Sequence, residues 1–143
     1  MSATPADLGA PAIFESKVPI VRPHLPGMEV LSDELRAILE SGMVTKGNNL
    51  EKLEAATAGH LGVKHAIGVS SCTTGLMLTY QALGLKGKVI VPSFTFMATV
   101  SAMLWTNLEP VYVDVDRGTT NILADAIGEA VTPDTCAIVA VHN

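Results

Sequence analysis

The sequence predicts an α/β domain with a mainly parallel sheet and helices on both of its faces. From residue 65 onwards, short apolar runs of strand length alternate with longer segments of helical periodicity. Strand–helix–strand units of this length imply right-handed crossovers, which join parallel strands. The predicted strands are apolar at consecutive positions, which indicates that helices cover them from both sides.

An extended arm and two helices are predicted ahead of the sheet. Several prolines in residues 18–26 favour extended backbone. The first helix is predicted over residues 33–40, where leucine and isoleucine recur on one face, and it ends at Gly42. The second is predicted over residues 50–61 and ends at Gly62. The sheet therefore follows two amphipathic helices.

Four strands and three helices are predicted after residue 62. The strands are His65–Val69, Val89–Val91, Val111–Val113 and Ala137–Val141. The helices span about residues 73–84, 97–107 and 124–130. No helix follows the last strand to cover it, so the sheet is expected to be incomplete at its C-terminus. We therefore expect the front part of a longer α/β protein, or a sheet that a partner completes.

Composition narrows the class of protein. The net charge of −5 argues against nucleic acid or an anionic membrane as a partner, because no basic stripe replaces phosphate counterions. The 2 cysteines have no spacing that suits a disulfide framework or a zinc site, and a reducing cytoplasm fits them. No apolar run is long enough for a membrane span, and residues 1–12 lack the basic and apolar parts of a signal peptide. We expect a cytoplasmic globular protein.

The segment Ser70–Gly75 lies between the first predicted strand and a predicted helix. Small residues let the backbone approach a ligand closely, and the first N–H groups of a helix have no partner inside it, so an anion can bind there. Thr73 and Thr74 add two hydroxyl donors. The alternative is that Ser71 or Thr73 only caps the helix. The segment is thus either a phosphate-binding turn or an ordinary helix cap.

Phe96 follows the next strand, at the beginning of the next predicted helix. Because ligands of open α/β sheets bind at the carboxyl ends of the strands, its ring could stack on a flat ligand, although a packing role is the alternative. The chain lacks the glycine patterns that bind dinucleotides or nucleoside triphosphates. The Ser/Thr-rich turn therefore suits a single phosphate monoester. A cofactor with one phosphate and one flat ring is pyridoxal phosphate.

Two carboxylates and a histidine follow other strands. Asp114 and Asp116 resemble the D-x-D pair that holds a divalent metal in glycosyltransferases, but such carboxylates more often accept turn N–H groups. His142 has no second metal ligand or carboxylate at a suitable spacing. A histidine that ends a strand is more often simply packed. No metal site is predicted, and a metal-dependent glycosyltransferase using Asp114 and Asp116 stays an alternative.

Four segments in register resemble the DegT/DnrJ/EryC1/StrS sugar aminotransferases over about residues 18–143. They are Val69–Leu76, Val89–Thr99, Glu109–Asp116 and Val131–His142. The resemblance implies the N-terminal portion of a fold-type-I, pyridoxal-phosphate-dependent large domain. It also implies a homodimeric transaminase that moves an amino group, usually from glutamate, to a nucleotide-linked keto sugar in polysaccharide or amino-sugar biosynthesis. The domain limits expected are a flexible tail over 1–17, the arm and helices over 18–62 and a partial cofactor-binding α/β domain over 63–143.

The resemblance also implies roles for individual residues. Thr73 and Thr74 take the positions that bind the cofactor phosphate, and Phe96 takes the position that stacks on the pyridine ring. Cys72 replaces the glycine or alanine usual in this turn. The Schiff-base lysine and the acidic residue that pairs with the ring nitrogen are expected beyond residue 143, so the chain alone is expected to be inactive. A non-catalytic cofactor-binding or regulatory homologue that lacks the lysine is a further alternative.

Overall fold

The computed structural model describes residues 11, 14–16, 18, 19 and 21–143. The chain forms two compact units that divide between Asn49 and Leu50. The tail predicted over residues 1–17 lies mostly outside the described residues, and the domain limits drawn from the sequence stay a prediction. Among the residues described, no helix has the length and apolar character needed to cross a membrane.

The first unit contains helix α1, Met28–Ser41. The helix ends as predicted at Gly42, whose φ of +69° places it in the left-handed region that glycine adopts without strain. The N–H of Gly42 donates to the carbonyl of Leu39 at 3.2 Å. The helix begins earlier than predicted, and Gly27, with extended backbone, is its N-cap residue. Upstream, residues 18, 19 and 21–27 have no helix or strand.

The second unit holds the sheet and most of helix α2, Asn48–Leu61. The later helices are α3, Cys72–Ala82, α4, Met97–Trp105, and α5, Ala124–Ala130. The strands are β1, Lys88–Pro92, β2, Glu109–Val113, and β3, Thr135–Ile138. The three predicted helices and the last three predicted strands are therefore present. Helix α5 has the predicted bounds, and the other elements have shifted ends.

The sheet is parallel, with strand order β2-β1-β3. Val89, Ile90 and Val91 of the central strand are completely buried, and because alternate residues point to opposite faces, β1 is covered on both. On one face, Val89 and Val91 pack in a cluster with side chains of α3 and α4, among them Tyr80 and Met103. The predicted α/β class with a parallel sheet is confirmed.

The prediction of a strand over His65–Val69 is wrong. This segment pairs with no strand in the described part of the chain, and 81% of Ile67 is exposed. The apolar run was sufficient for a strand, but a strand also needs a neighbour for its backbone hydrogen bonds. Instead, the N–H of Gly68 donates to the carboxylate of Glu54 at 2.7 Å.

Gly87 joins the beginnings of the three strands. Its carbonyl accepts the N–H of Glu109 at 3.0 Å, and the N–H of the next residue, Lys88, donates to the carbonyl of Asp134 at 2.9 Å. The φ of Gly87 is +104°, and a methyl group added there would lie 2.5 Å from the same Asp134 carbonyl oxygen. Only glycine fits this junction without a shift of the backbone.

Candidate functional site

The topology brings the N-termini of α3 and α4 to one end of the sheet. Helix α3 leads into the amino end of β1, and α4 leaves its carboxyl end. Both helices therefore run antiparallel to β1, and they pack against each other. Their first turns consequently lie at the carboxyl edge of the sheet, where open α/β proteins bind their ligands.

The turn before α3 is held by hydrogen bonds among its own hydroxyl groups. Ser71 has extended backbone and caps the helix, with Oγ accepting the N–H of Thr74 at 3.1 Å. Ser71 Oγ also lies 3.0 Å from Thr74 Oγ1, and Ser70 Oγ donates to that oxygen at 3.4 Å. The capping interpretation therefore holds for Ser71. It leaves the remaining donors of the turn available.

Those remaining donors belong to the first two residues of the helix. Within the described chain, the N–H groups of Cys72 and Thr73 have no acceptor, and neither does the hydroxyl of Thr73. These groups lie at the positive end of the helix dipole of α3, which has 11 residues. Capping by Ser71 and anion binding by Thr73 are thus compatible, and the donor set fits a phosphate.

Phe96 immediately precedes α4 and is 81% exposed. Its ring is therefore not part of the core, where α4 instead buries Ala102 and Met103. A hydrogen bond of 2.9 Å from Thr95 Oγ1 to Thr99 Oγ1 links the residue before Phe96 to the first turn of the helix. The exposed aromatic ring lies at the same edge of the sheet as the turn before α3, as a stacking role requires.

The two aspartates after β2 hold a turn. Asp116 Oδ1 accepts the N–H groups of Gly118 at 3.0 Å and Thr119 at 2.8 Å, together with the Thr119 hydroxyl at 2.9 Å. These bonds, the Thr119 N–H first among them, lower the pKa of Asp116. Asp114 Oδ1 accepts the N–H of Val115 at 2.9 Å. The geometry supports the turn interpretation, since the oxygen a metal would need is already shared by three donors.

The end of the chain contacts the loop that follows β2. The N–H of Asn143 donates to Asn121 Oδ1 at 3.1 Å, and its side-chain amide donates to the Thr120 carbonyl at 3.1 Å. His142 is exposed and has no hydrogen bond to the described residues. Sequence reasoning missed Asn121, because an asparagine in a polar loop gives no sign of a partner 22 residues away. It also missed Glu54, an acidic residue one turn after Leu50 on α2.

The structure thus defines an α/β chain with unpaired N–H and hydroxyl donors among its described residues and an exposed aromatic ring at one edge of its sheet. The chain belongs to the DegT/DnrJ/EryC1/StrS aminotransferase family, whose model matches residues 28–143. Enzymes of this family use pyridoxal phosphate, and the fold is part of a fold-type-I transferase of that kind. Family membership and the contacts of Asp116 both count against the glycosyltransferase alternative.

Several solved structures are similar to the chain. DesI, crystallised in the presence of its TDP-sugar product, is 39% identical with a TM-score of 0.83, and the match covers 96% of this chain and 35% of DesI. NtdA from Bacillus subtilis, with bound cofactor PMP, is 37% identical with a TM-score of 0.78 over 80% of this chain and 27% of NtdA. DesV from S. venezuelae, in complex with a ketimine intermediate, is 31% identical with a TM-score of 0.70 over 80% and 33%. The chain therefore spans about a third of the length of these structures.

Proposed function

We propose that the intact protein is a pyridoxal-phosphate-dependent aminotransferase that moves an amino group from glutamate to a nucleotide-linked keto sugar. The observation that carries this proposal is the pairing of unsatisfied donors at the beginning of α3 with the exposed ring of Phe96 at one sheet edge. Family membership and the similarity to DesI, which was crystallised with a TDP-sugar product, support the substrate class. This chain would supply the part of the site that holds the cofactor.

The residues of the chain would hold the cofactor at two points. The N–H and hydroxyl groups of Thr73 would bind the phosphate, where the helix dipole adds to the attraction. Thr74 would contribute its hydroxyl, because Ser71 already accepts its N–H. Phe96 would stack on the pyridine ring and fix its plane. Bound pyridoxal phosphate supplies an electron sink for the carbanion that forms during amino transfer.

The remaining parts of the proposal lie outside this chain. The Schiff-base lysine and the acid that pairs with the ring nitrogen would come from the region that the similar structures have beyond the matched third. The intact protein would be a cytoplasmic homodimer that serves polysaccharide or amino-sugar biosynthesis. The chain alone would bind cofactor weakly and would not catalyse transfer.

Substitution of Thr73 in the full-length protein tests the phosphate site. Thr73→Val keeps the shape and the backbone N–H but removes the hydroxyl donor. We expect the Kd for pyridoxal phosphate to rise about 10- to 100-fold, since a hydrogen bond to a charged group contributes about 1.5–3 kcal/mol. Titration followed by the absorbance of the bound cofactor measures the Kd. Thr73→Ser should bind nearly as well as the wild-type protein.

Thr79→Val is the matched control, because the Thr79 hydroxyl donates to the Gly75 carbonyl inside α3 and lies outside the turn. A Thr73→Val protein with wild-type affinity would contradict the assignment of Thr73. A wild-type protein that binds no pyridoxal phosphate would contradict the proposed function as a whole. Cofactor absorbance that borohydride leaves unchanged would indicate instead the non-catalytic homologue that lacks the lysine.

A further inference from the structure

We infer that Glu54 is a positioning residue for the phosphate-binding turn, an inference that rests on the proposed function. Its carboxylate Oε1 accepts the N–H of Gly68 at 2.7 Å, and the side chain is half-buried. Hydrogen bonds to an ionised carboxylate are shorter and about twice as strong as those between neutral groups. A side chain of α2 thus anchors the backbone two residues before the turn.

This anchor lies in the segment for which the sequence predicts a strand. Within the described chain, the N–H of Gly68 is the one backbone donor of residues 64–70 that has an acceptor. The segment leads directly into Ser70 and Ser71, whose hydroxyl groups hold the turn. Among the described residues the segment has no ladder of hydrogen bonds, and the contact with Glu54 is the hydrogen bond that holds its backbone ahead of the turn.

Two close contacts show that the segment is fitted between α2 and α3. A methyl group added to Gly68 would lie 2.5 Å from Cδ1 of Leu50, so the backbone lies directly on α2. A methyl group added to Gly75 would lie 3.3 Å from Cγ2 of Val69, so the next residue lies against α3. Glu54 therefore fixes a short connection between the two helices, and the connection ends in the turn.

The charge of Glu54 does not attract the ligand. A carboxylate near an anion-binding turn repels a phosphate, so its presence there has no direct benefit for affinity. What the carboxylate provides is an acceptor for the N–H of Gly68. The contribution of Glu54 is hence geometric, and it is specific to the phosphate end of the cofactor.

The test compares pyridoxal phosphate with pyridoxal, which lacks the phosphate, as ligands of the full-length protein. Glu54→Leu removes the acceptor and keeps the approximate size of the side chain. We expect it to raise the Kd for pyridoxal phosphate about 10-fold, which corresponds to about 1.4 kcal/mol, and to leave the Kd for pyridoxal within about 2-fold. Glu54→Gln keeps a carbonyl oxygen that accepts the Gly68 N–H and should restore most of the affinity.

Glu51→Leu is the matched control, because Glu51 is an exposed acidic residue on the same helix with no hydrogen bond to the described residues. It should leave both Kd values unchanged. Equal losses for pyridoxal phosphate and pyridoxal in Glu54→Leu would indicate a merely structural role and overturn the inference. So would a folded Glu54→Leu variant whose Kd values for pyridoxal phosphate and pyridoxal both equal those of the wild type.

Hydrogen exchange keeps the inference testable if Glu54→Leu does not fold. In the wild-type protein the Gly68 amide should exchange much more slowly than the amides on either side of it. Exchange at the rate of its neighbours would overturn the inference. A wild-type protein that binds neither ligand would instead contradict the proposed function, so the two failures are distinguishable.

Discussion

Replacement of Gly87 by alanine should destabilise the junction at which the three strands begin. The φ of Gly87 is +104°, and the added methyl group would lie 2.5 Å from the Asp134 carbonyl oxygen. A strained backbone conformation for a residue other than glycine costs about 1–3 kcal/mol. The carbonyl cannot retreat freely, because it accepts the N–H of Lys88, and loss of that hydrogen bond costs about 1 kcal/mol more. The free energy of unfolding is therefore expected to fall by about 2–4 kcal/mol in Gly87→Ala.

Two other glycines separate the sources of this loss. Gly84 also has a positive φ, +62°, but a methyl group there would meet nothing within 4 Å. Gly84→Ala should thus show the backbone strain alone, about 1–2 kcal/mol. Gly59 lies within α2 with open space around it, and Gly59→Ala should stabilise the protein by up to about 1 kcal/mol.

The assay is urea unfolding of the full-length protein, followed by circular dichroism, with the three variants compared under one condition. The expected order of stability is Gly59→Ala, wild type, Gly84→Ala and then Gly87→Ala. If the free energy of unfolding fell no more in Gly87→Ala than in Gly84→Ala, the contact with the Asp134 carbonyl would not contribute to the loss of stability. The reasoning about the junction would then be refuted.

Two further predictions concern Tyr80 and Asp116. The Tyr80 hydroxyl is buried without a partner among the described residues, and burial, followed by the charge of a Cys72 thiolate, raises its pKa. Tyr80→Phe should keep or raise the thermal midpoint, since an unpaired buried hydroxyl costs about 1 kcal/mol or more, and a clear drop would contradict the absence of a partner. The pKa of Asp116 is lower in the folded protein than in the unfolded chain. The ionised side chain therefore stabilises the fold fully above the unfolded pKa of about 3.9. This stabilisation is lost as the pH falls through the lower pKa of the folded state. Asp116→Asn should hence be less stable than the wild type at pH 6 but should approach it as the pH falls below the folded pKa. A difference in stability that is independent of pH would contradict the turn interpretation.

Local signals explain why much of the fold could be predicted. Gly42 and Gly62 end their helices as expected, because both adopt a positive φ that other residues avoid. The apolar run at Val89–Val91 became the buried central strand. These features depend on residues that are adjacent in the sequence, so the pattern carries the information that the structure uses.

The failures concern partners that are distant in the sequence. The segment His65–Val69 has the composition of a strand, yet strand formation depends on a neighbour that composition does not reveal. Its actual partner, Glu54, lies 14 residues before Gly68, and nothing in the local pattern points to that contact. The contact of Asn143 with Asn121 was missed for the same reason.

The candidate site was predictable in outline only. Thr73, Thr74 and Phe96 could be selected because they follow apolar runs and match a family pattern. The separate roles of the hydroxyl groups within the turn could not be predicted, because they depend on which hydroxyl group caps the helix. Ser71 takes that role and leaves the donors of Thr73 available. Their roles in binding the cofactor stay predictions.

A crystal structure of the full-length protein with pyridoxal phosphate tests the central claim most directly. The account predicts phosphate oxygens within about 3 Å of the N–H and hydroxyl groups of Thr73, where hydrogen bonds form. It also predicts the pyridine ring against the face of Phe96. A phosphate bound away from the beginning of α3, or a Phe96 ring that points away from the cofactor, would contradict it.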